Sequence, residues 1–285
     1  MLGIDLCDEL RSGYQVIGLD ITKPIAHSTQ HIAYIQCDIS DKDKTIDSIV
    51  NAKPDLVIHT AAWTDVDECE KNPQKAKAIN EKGTENVALA ILKLNVPMIY
   101  ISTDYVFDGT KKKPYTEMDS MRPSSVYART KMYGEKKLAG LVKCIVLRSS
   151  WLYGAGDNNF VGAILNEAKT KKEIKVVDDQ VGSPTYTKDL AVAIRRLIGL
   201  LGTGKAWGVY HVSNKGAVSW FDYAKKILEL ARIKDVAVVP IKSDELGRAA
   251  KRPAFSVLDN TKFEKKIGFK MRTWQEALAE YIRGK

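Results

Sequence analysis

The stretch Val96-Pro97-Met98-Ile99-Tyr100-Ile101-Ser102-Thr103-Asp104 is a near-continuous apolar run that ends in small polar residues. A strand apolar on both faces belongs in a parallel sheet covered by helices on both sides. The same rhythm extends in both directions. Upstream, Leu2, Leu6 and Leu10 are spaced by four and share one face of a helix, which Gly13 stops. Tyr14 to Asp20 reads as a strand ending in an acid, and Ala33 to Cys37 as another ending at Asp38. A helix over about Lys42–Val50 precedes a strand at Asp55–His59, and a long helix starts at Pro73 and runs to Leu94. Downstream, a helix over Pro123–Ala139 leads to a strand at Lys143–Arg148. Strands alternating with helices predict an α/β fold with a parallel sheet.

Beyond Ser149 the rhythm loosens. Helices are expected at Asn158–Thr170, Lys188–Leu201, Trp220–Ala231, Thr261–Lys266 and Thr273–Arg283, with short strands at Val209–Val212 and Val236–Val239. This part reads as a smaller mixed α/β lobe. The expected division is 1–148 plus about 186–201 for the large sheet, and 149–185 plus 202–285 for the smaller lobe. There is no internal repeat or low-complexity tract.

With 285 residues, 45% apolar and 28% charged, the composition is that of a soluble globular protein of one large or two modest domains. No apolar run is long enough to span a bilayer, and Asp5, Asp8 and Glu9 stand where a signal peptide needs an apolar core. Cys7, Cys37, Cys69 and Cys144 form no CxxC pair, so reduced thiols, a cytoplasmic setting and no zinc site are expected. The net charge of +9 reads either as a generally basic surface or as attraction for an anionic ligand. Lys111-Lys112-Lys113 has no aromatic residues between its lysines, so neither nucleic acid nor membrane is an expected partner. A small ligand with several phosphates uses the same charge.

In an open parallel sheet, ligands bind beyond the carboxyl ends of the strands. Those ends read Asp20, Asp38, Thr60-Ala61-Ala62, Ser102-Thr103-Asp104 and Ser149-Ser150-Trp151. The next helix carries Tyr127-x-x-x-Lys131, which puts a phenol and an ammonium on one helix face. A nearby positive charge favours phenolate and lowers the tyrosine pKa from about 10, making an acid or base usable near neutrality. Tyr133/Lys137 and Tyr281/Lys285 match the same spacing. Only Tyr127 follows a strand ending in Thr103, whose hydroxyl is placed to reach a substrate carbonyl beside the tyrosine; the plainer reading of Thr103 is a capping residue.

Several segments carry a family resemblance. They are Ala61-Ala62-Trp63-Thr64-Asp65-Val66-Asp67, Ser102-Thr103-Asp104-Tyr105-Val106-Phe107-Asp108-Gly109, Tyr127-Ala128-Arg129-Thr130-Lys131 and Ser150-Trp151-Leu152-Tyr153-Gly154. Asn158-Asn159-Phe160, Asp179-Gln180-Val181-Gly182-Ser183-Pro184-Thr185 and Lys251-Arg252-Pro253 follow in the same order. Together they resemble the dTDP-4-dehydrorhamnose reductases, extended short-chain dehydrogenases/reductases, over essentially the whole chain. The resemblance implies a Rossmann-like doubly wound parallel sheet with a smaller mixed α/β substrate lobe. It implies reduction of dTDP-4-dehydro-L-rhamnose to dTDP-L-rhamnose, with Tyr127 as proton donor to the C4 oxygen, Lys131 on the nicotinamide ribose and Thr103 on the reacting oxygen. It implies further that Gly3, Asp20, Asp38, Ile39, Ala61, Ala62, Thr64 and Ser102 line the cofactor, with Tyr127 and Lys131. Val66 and Trp151 would meet the substrate, Asn159 and Arg252 its diphosphate, and Gln180 the same ligand. Trp151 as core and Asn159 as a helix-start residue remain the plainer alternatives.

Asp20 stands seventeen residues after Gly3, near the expected spacing of about 20, and suits the free ribose hydroxyls of NADH. Lys23 instead suits the 2′-phosphate of NADPH, so both cofactors stay open. Magnesium and a homodimer are compatible with the resemblance but not readable. The family pattern opens with a buried strand and a Gly-x-x-Gly-x-x-Gly turn, of which only Gly3 is present. The strands at Tyr14–Leu19 and Leu56–His59 are therefore expected each to lack a ladder neighbour. The expected reason is a start placed inside a longer coding sequence, because the catalytic pattern is intact; the alternative is a short protein that has lost cofactor binding. Rival functions are another nucleotide-sugar reductase or epimerase, or a non-catalytic subunit resembling the beta subunit of methionine adenosyltransferase. An epimerase needs an acid–base pair across the sugar ring, and none is legible. A non-catalytic subunit would co-purify with a synthetase and oxidise no NAD(P)H.

Overall fold

Helix α1 (Leu2–Leu10) buries Leu2, Leu6 and Leu10 together, as their spacing requires; each is worth about 2 kcal/mol of apolar burial. The computed structural model describes residues 1–22, 32–204 and 206–285, so Lys23 lies outside the described residues. Strands β1 (Ile17–Asp20) and β2 (Ala33–Gln36) pair in parallel. Helix α2 (Lys42–Ala52) follows, its first turn capped by the Asp41 carboxylate on the Lys44 N–H at 3.1 Å. Next come β3 (Val57–His59), α3 (Val66–Lys71), α4 (Pro73–Ala76), a π-helical segment at Lys77–Gly83, and α5 (Thr84–Leu94). The helix expected from Pro73 to Leu94 is thus continuous in space but widened at its centre. Strand β4 (Met98–Thr103), helix α6 (Val126–Lys137) and strand β5 (Cys144–Ser149) complete the alternating part.

The remainder holds β6 (Leu152–Tyr153), α7 (Phe160–Glu167), β7 (Glu173–Val177), β8 (Val181–Gly182), β9 (Thr185–Tyr186) and α8 (Thr187–Ile198). After these come β10 (Gly208–His211), β11 (Val218–Ser219), α9 (Trp220–Leu230), β12 (Ala237–Ile241), α10 (Thr261–Ile267) and α11 (Trp274–Arg283). The large sheet has the order β10-β5-β4-β3, all parallel. The sequence rhythm assigns 202–285 to the smaller lobe. The pairing of β10 with β5 gives 208–211 to the large sheet instead, because Val209 and Tyr210 stand beside Val146 and Leu147.

Alternation along β4 and β5 splits the core into two layers. Ile99, Ile101, Ile145 and Leu147 pack against α1 and the Leu190, Ile194 and Leu197 face of α8. Met98, Tyr100, Cys144 and Val146 pack on the opposite side against α2 and α5. A doubly wound α/β sheet results, as the alternating pattern predicts. Among the described residues β1 pairs only with β2, and β3 only with β4, so the two strands expected to lack a neighbour do lack one. A separate core joins α7, α9 and α11 through Val161, Ile164, Tyr223, Ile227, Leu278 and Tyr281. No helix among the described residues is long and apolar enough to cross a membrane.

Candidate active site

Helix α6 starts where the Ser125 hydroxyl accepts the Ala128 N–H at 3.3 Å. Its Val126 N–H donates to the Glu70 carboxylate at 2.8 Å, which ties the first turn to α3. Tyr127 is therefore fixed in a pocket of Trp63, Val66, Cys69, Ala76 and Tyr105. The Tyr105 ring meets it edge-on at 6.0 Å. At the end of β4, the Thr103 hydroxyl donates to Asp104 at 3.1 Å and accepts the Tyr105 N–H at 3.2 Å. The structure thus brings Tyr127 and Thr103 together. Burial raises the Tyr127 hydroxyl above the ordinary phenol range, and a hydrogen bond with the Thr103 side chain opposes that rise. Burial also pushes the neighbouring Asp104 up to about 7.

Lys131 sits one turn below, buried, with Nζ donating to the Ile101 carbonyl at 2.8 Å and lying 4.2 Å from the centre of the Tyr100 ring. Burial lowers its pKa to about 7, and the Glu135 carboxylate opposes the drop. This corrects one expectation. The ammonium does not depress the Tyr127 pKa here; it lies under Tyr100, and removal from water decides the direction at Tyr127.

Gly3 in α1 faces β3, where a Cβ on it would stand 3.7 Å from the Thr60 hydroxyl. Ala61 and Ala62 are half-buried beside it, and Thr64 is exposed. Asp20 is exposed at the end of β1, and Asp38 accepts both the N–H and the hydroxyl of Ser40, at 2.9 and 2.8 Å. Small residues at the sheet edge flanked by an exposed acid fit a dinucleotide. Two expected cofactor residues have side chains engaged within the protein. Ile39 is buried against Gly83, where an added Cβ would come within 2.7 Å of it. The Ser102 hydroxyl points below the sheet edge and donates to Glu135 at 2.5 Å.

On the substrate side, Val66 packs in the Tyr127 pocket and Trp151 is half-buried. The other three expected contacts are engaged within the protein. Asn159 caps α7, accepting the Gly162 N–H at 3.1 Å and donating to the Gly156 carbonyl at 2.9 Å, so the helix-start reading prevails. Gln180 is buried and donates to Ser243 at 2.8 Å. Arg252 grips Asp67 with two bonds, at 3.0 and 2.8 Å, rather than standing free for a diphosphate.

Sequence reading missed the residues that organise these groups. Asn80, on the π-helical turn, accepts the Trp63 N–H at 2.8 Å and donates to Thr130 of α6 at 3.2 Å, joining the β3 loop to the tyrosine helix. Trp220 stacks on Trp151. Glu135 follows Lys131 by one turn, a spacing legible in the sequence, but its buried partner Arg148 comes from β5. No cluster of three or more His, Cys, Asp or Glu side chains suited to a metal ion exists among the described residues.

Residues 1–284 match the family model described as the RmlD substrate-binding domain. The chain belongs to the dTDP-4-dehydrorhamnose reductase family. It is 39% identical to the Bacillus subtilis spore coat polysaccharide biosynthesis protein SpsK, over 99% of this chain and 93% of that protein. The crystal structure of a dTDP-4-dehydrorhamnose reductase from Clostridium acetobutylicum superposes with a TM-score of 0.87 at 38% identity, covering 99% of this chain and 95% of that one. The Bacillus anthracis dTDP-4-dehydrorhamnose reductase, solved in complex with NADP, gives a TM-score of 0.86 at 34% identity, over 95% of this chain and 100% of that one. The family is one of Rossmann-like α/β oxidoreductases acting on nucleotide sugars with a nicotinamide cofactor.

Proposed function

We propose that the chain reduces the C4 keto group of dTDP-4-dehydro-L-rhamnose with NADPH or NADH, giving dTDP-L-rhamnose. The observation that carries this reading is the contact of Tyr127 with Thr103 at the carboxyl edge of the sheet, with Lys131 buried one turn behind. The bound dihydronicotinamide supplies a hydride to the sugar C4 carbon. Tyr127 donates its phenolic proton to the C4 oxygen as the carbonyl π pair becomes that oxygen's lone pair. Its raised pKa keeps the proton in place until a carbonyl that is becoming an alkoxide takes it. The Thr103 hydroxyl hydrogen-bonds the same oxygen and orients it toward the phenol. Lys131, one turn behind the phenol, would hold the ribose of the cofactor through its ammonium.

Val66 and Trp63 wall the tyrosine pocket and exclude water from it. Asp20, exposed at the end of β1, is placed for ribose hydroxyls, whereas an added 2′-phosphate would meet its negative charge. The test is oxidation of NADPH and of NADH at 340 nm with dTDP-4-dehydro-L-rhamnose, with product analysis. Turnover is expected, and Tyr127→Phe should lower it by roughly 10²–10⁴-fold with an unchanged melting transition. Near-normal activity of Tyr127→Phe, or epimerised sugar without cofactor oxidation, would overturn the reading.

A further inference from the structure

Beneath α6 lies a buried charge chain that the reaction scheme above does not use. The Arg148 guanidinium grips the Glu135 carboxylate with Nη2 at 2.7 Å and Nε at 3.0 Å, and the Ser102 hydroxyl donates to the same carboxylate at 2.5 Å. The two charged side chains are 4% and 5% exposed, so neither is a surface ion pair. Burying such a pair costs much of its mutual attraction in lost hydration, so stability alone is a weak reason to keep one. Glu135 lies four residues after Lys131, on the same face of α6.

We propose that Glu135 is a positioning residue for the reduction: held by Arg148 and Ser102, it keeps the Lys131 ammonium charged in a water-free layer. The proposal rests on the role given to Lys131 under the proposed function. Arg148 is bonded to the Glu135 carboxylate, and the Lys131 ammonium, one helical turn back on the same face of α6, is bonded to the Ile101 carbonyl in the same buried layer. Arg148 is fixed in turn from its far side. His211 has Nδ1 2.9 Å from the Tyr115 carbonyl, so a proton on Nδ1 leaves Nε2 as acceptor for Arg148 Nη1 at 3.5 Å.

The surroundings of Lys131 single out Glu135. On β4 it faces the neutral Tyr100 ring. On β3, burial and the Lys131 charge hold His59 down at about 3, so His59 is uncharged. On α6 it neighbours Tyr127. Asp104, beyond β4, acts on Tyr127. Glu70 of α3 and Glu85 of α5 pair with Arg129 and Lys137 on the outer surface of α6. Glu135 is the carboxylate that supports the Lys131 charge against burial.

The test is the titration of Lys131 in the full-length protein without cofactor, labelled with ¹³C-lysine and followed at Cε from pH 5 to 10. Glu135→Gln keeps the shape and removes the charge. It should move the Lys131 midpoint down by about one pH unit or more. In the active enzyme the alkaline limb of kcat/KM should move down with it, and Glu135→Asp should restore both. Should Glu135→Gln alone fail to fold, the double variant Glu135→Gln/Arg148→Met removes both members of the pair; its downward shift should be smaller, though still more than half a unit, because losing the guanidinium also removes a repulsion. A folded variant whose Lys131 midpoint moves by less than half a unit, or upward, would overturn the proposal. An unmoved lysine in an active reductase sinks this inference alone. A wild-type protein with no NAD(P)H oxidation sinks the reductase reading and leaves the lysine titration to stand or fall by itself.

Discussion

Trp151 lies flat on Trp220, with ring centroids 3.4 Å apart and planes 3° from parallel. Its backbone adopts φ 48°, a left-handed conformation that costs a non-glycine residue about 1–2 kcal/mol. Gly182 lies against the same ring, at its Cε2, Cζ2 and Nε1 atoms, and leaves no room there for a Cβ. The stack and Gly182 together fix the position of a half-buried indole. Stacked aromatic pairs contribute about 0.5–1.5 kcal/mol beyond their buried area. Trp220→Ala should therefore raise KM for the nucleotide sugar by about 3- to 10-fold while kcat changes less. The near-ultraviolet circular dichroism of the coupled indoles should vanish with it. An unchanged KM would reduce the stack to core packing.

Asp67 ties the 248–252 segment to α3. It accepts bonds from Arg252 at 2.8 and 3.0 Å, from the Ala250 N–H at 3.0 Å and from Arg248 at 3.1 Å. The Arg252 hydrogen bonds, helped by Ala250 and Arg248, hold its carboxyl far below the usual carboxylate range against the opposing effect of burial. A depressed folded-state pKa contributes stability that is present above the unfolded value, about 3.9, and lost as pH falls below it. Asp67→Asn should lower stability at pH 7 by about 1–3 kcal/mol. The gap between variant and wild type, read from urea midpoints, should narrow below pH 4. A gap that stays constant down to pH 3 would show that the charge of Asp67 is not what matters.

The strands and helices of the large sheet were legible because each buries one periodic set of side chains. Leu2, Leu6 and Leu10 show helical spacing, and Met98–Ile101 is apolar on both faces. The π-helical turn at Lys77–Gly83 was not legible, since it changes no periodicity that a helix over Pro73–Leu94 would display. Tyr127, Lys131 and Thr103 could be placed together because two lie on one helix and the third ends the preceding strand. Ser102, Asn159, Gln180 and Arg252 each take a protein partner that the sequence does not reveal, for a common reason. Each can bind a ligand or satisfy a neighbour, and the neighbour (Glu135, the α7 backbone, Ser243, Asp67) comes from elsewhere in the chain except for α7.

Asn159 supplies a clean contrast between these uses. Its side chain accepts the Gly162 N–H and donates to the Gly156 carbonyl, so both ends are occupied by structure. Loss of such a cap costs about 1 kcal/mol. Asn159→Ala should lower the melting temperature accordingly and leave KM for the nucleotide sugar within about twofold, since no ligand contact is lost. Asn159→Asp keeps the cap acceptor and should recover part of the stability. A KM rise of tenfold in Asn159→Ala would restore Asn159 to the substrate site.

His59 and His211 are the histidines among the described residues, and both are buried. Burial lowers each to about 3, with Lys131 adding to the effect at His59 and Arg148 at His211. The His59 ring is 3.1 Å from Thr84, whose own hydroxyl donates to the Asn80 carbonyl at 2.8 Å, so the ring serves as a neutral donor there. In the unfolded chain both rings gain a proton near pH 6.5. Between about pH 6.5 and 3 the unfolded state thus binds more protons than the folded state, and stability falls as pH falls. Each ring contributes a slope of up to about 1.4 kcal/mol per pH unit in that window. The measurement is the urea midpoint from pH 7 to pH 5 in the wild type and in His211→Gln, compared as a difference because Asp104 and Lys131, both brought to about 7 by burial, titrate in the same window and contribute equally to the two. Replacing His211 by Gln should lower the slope by up to about 1.4 kcal/mol per pH unit, whatever the loss of absolute stability. A slope unchanged by that substitution would mean that His211 takes up its proton in the folded protein.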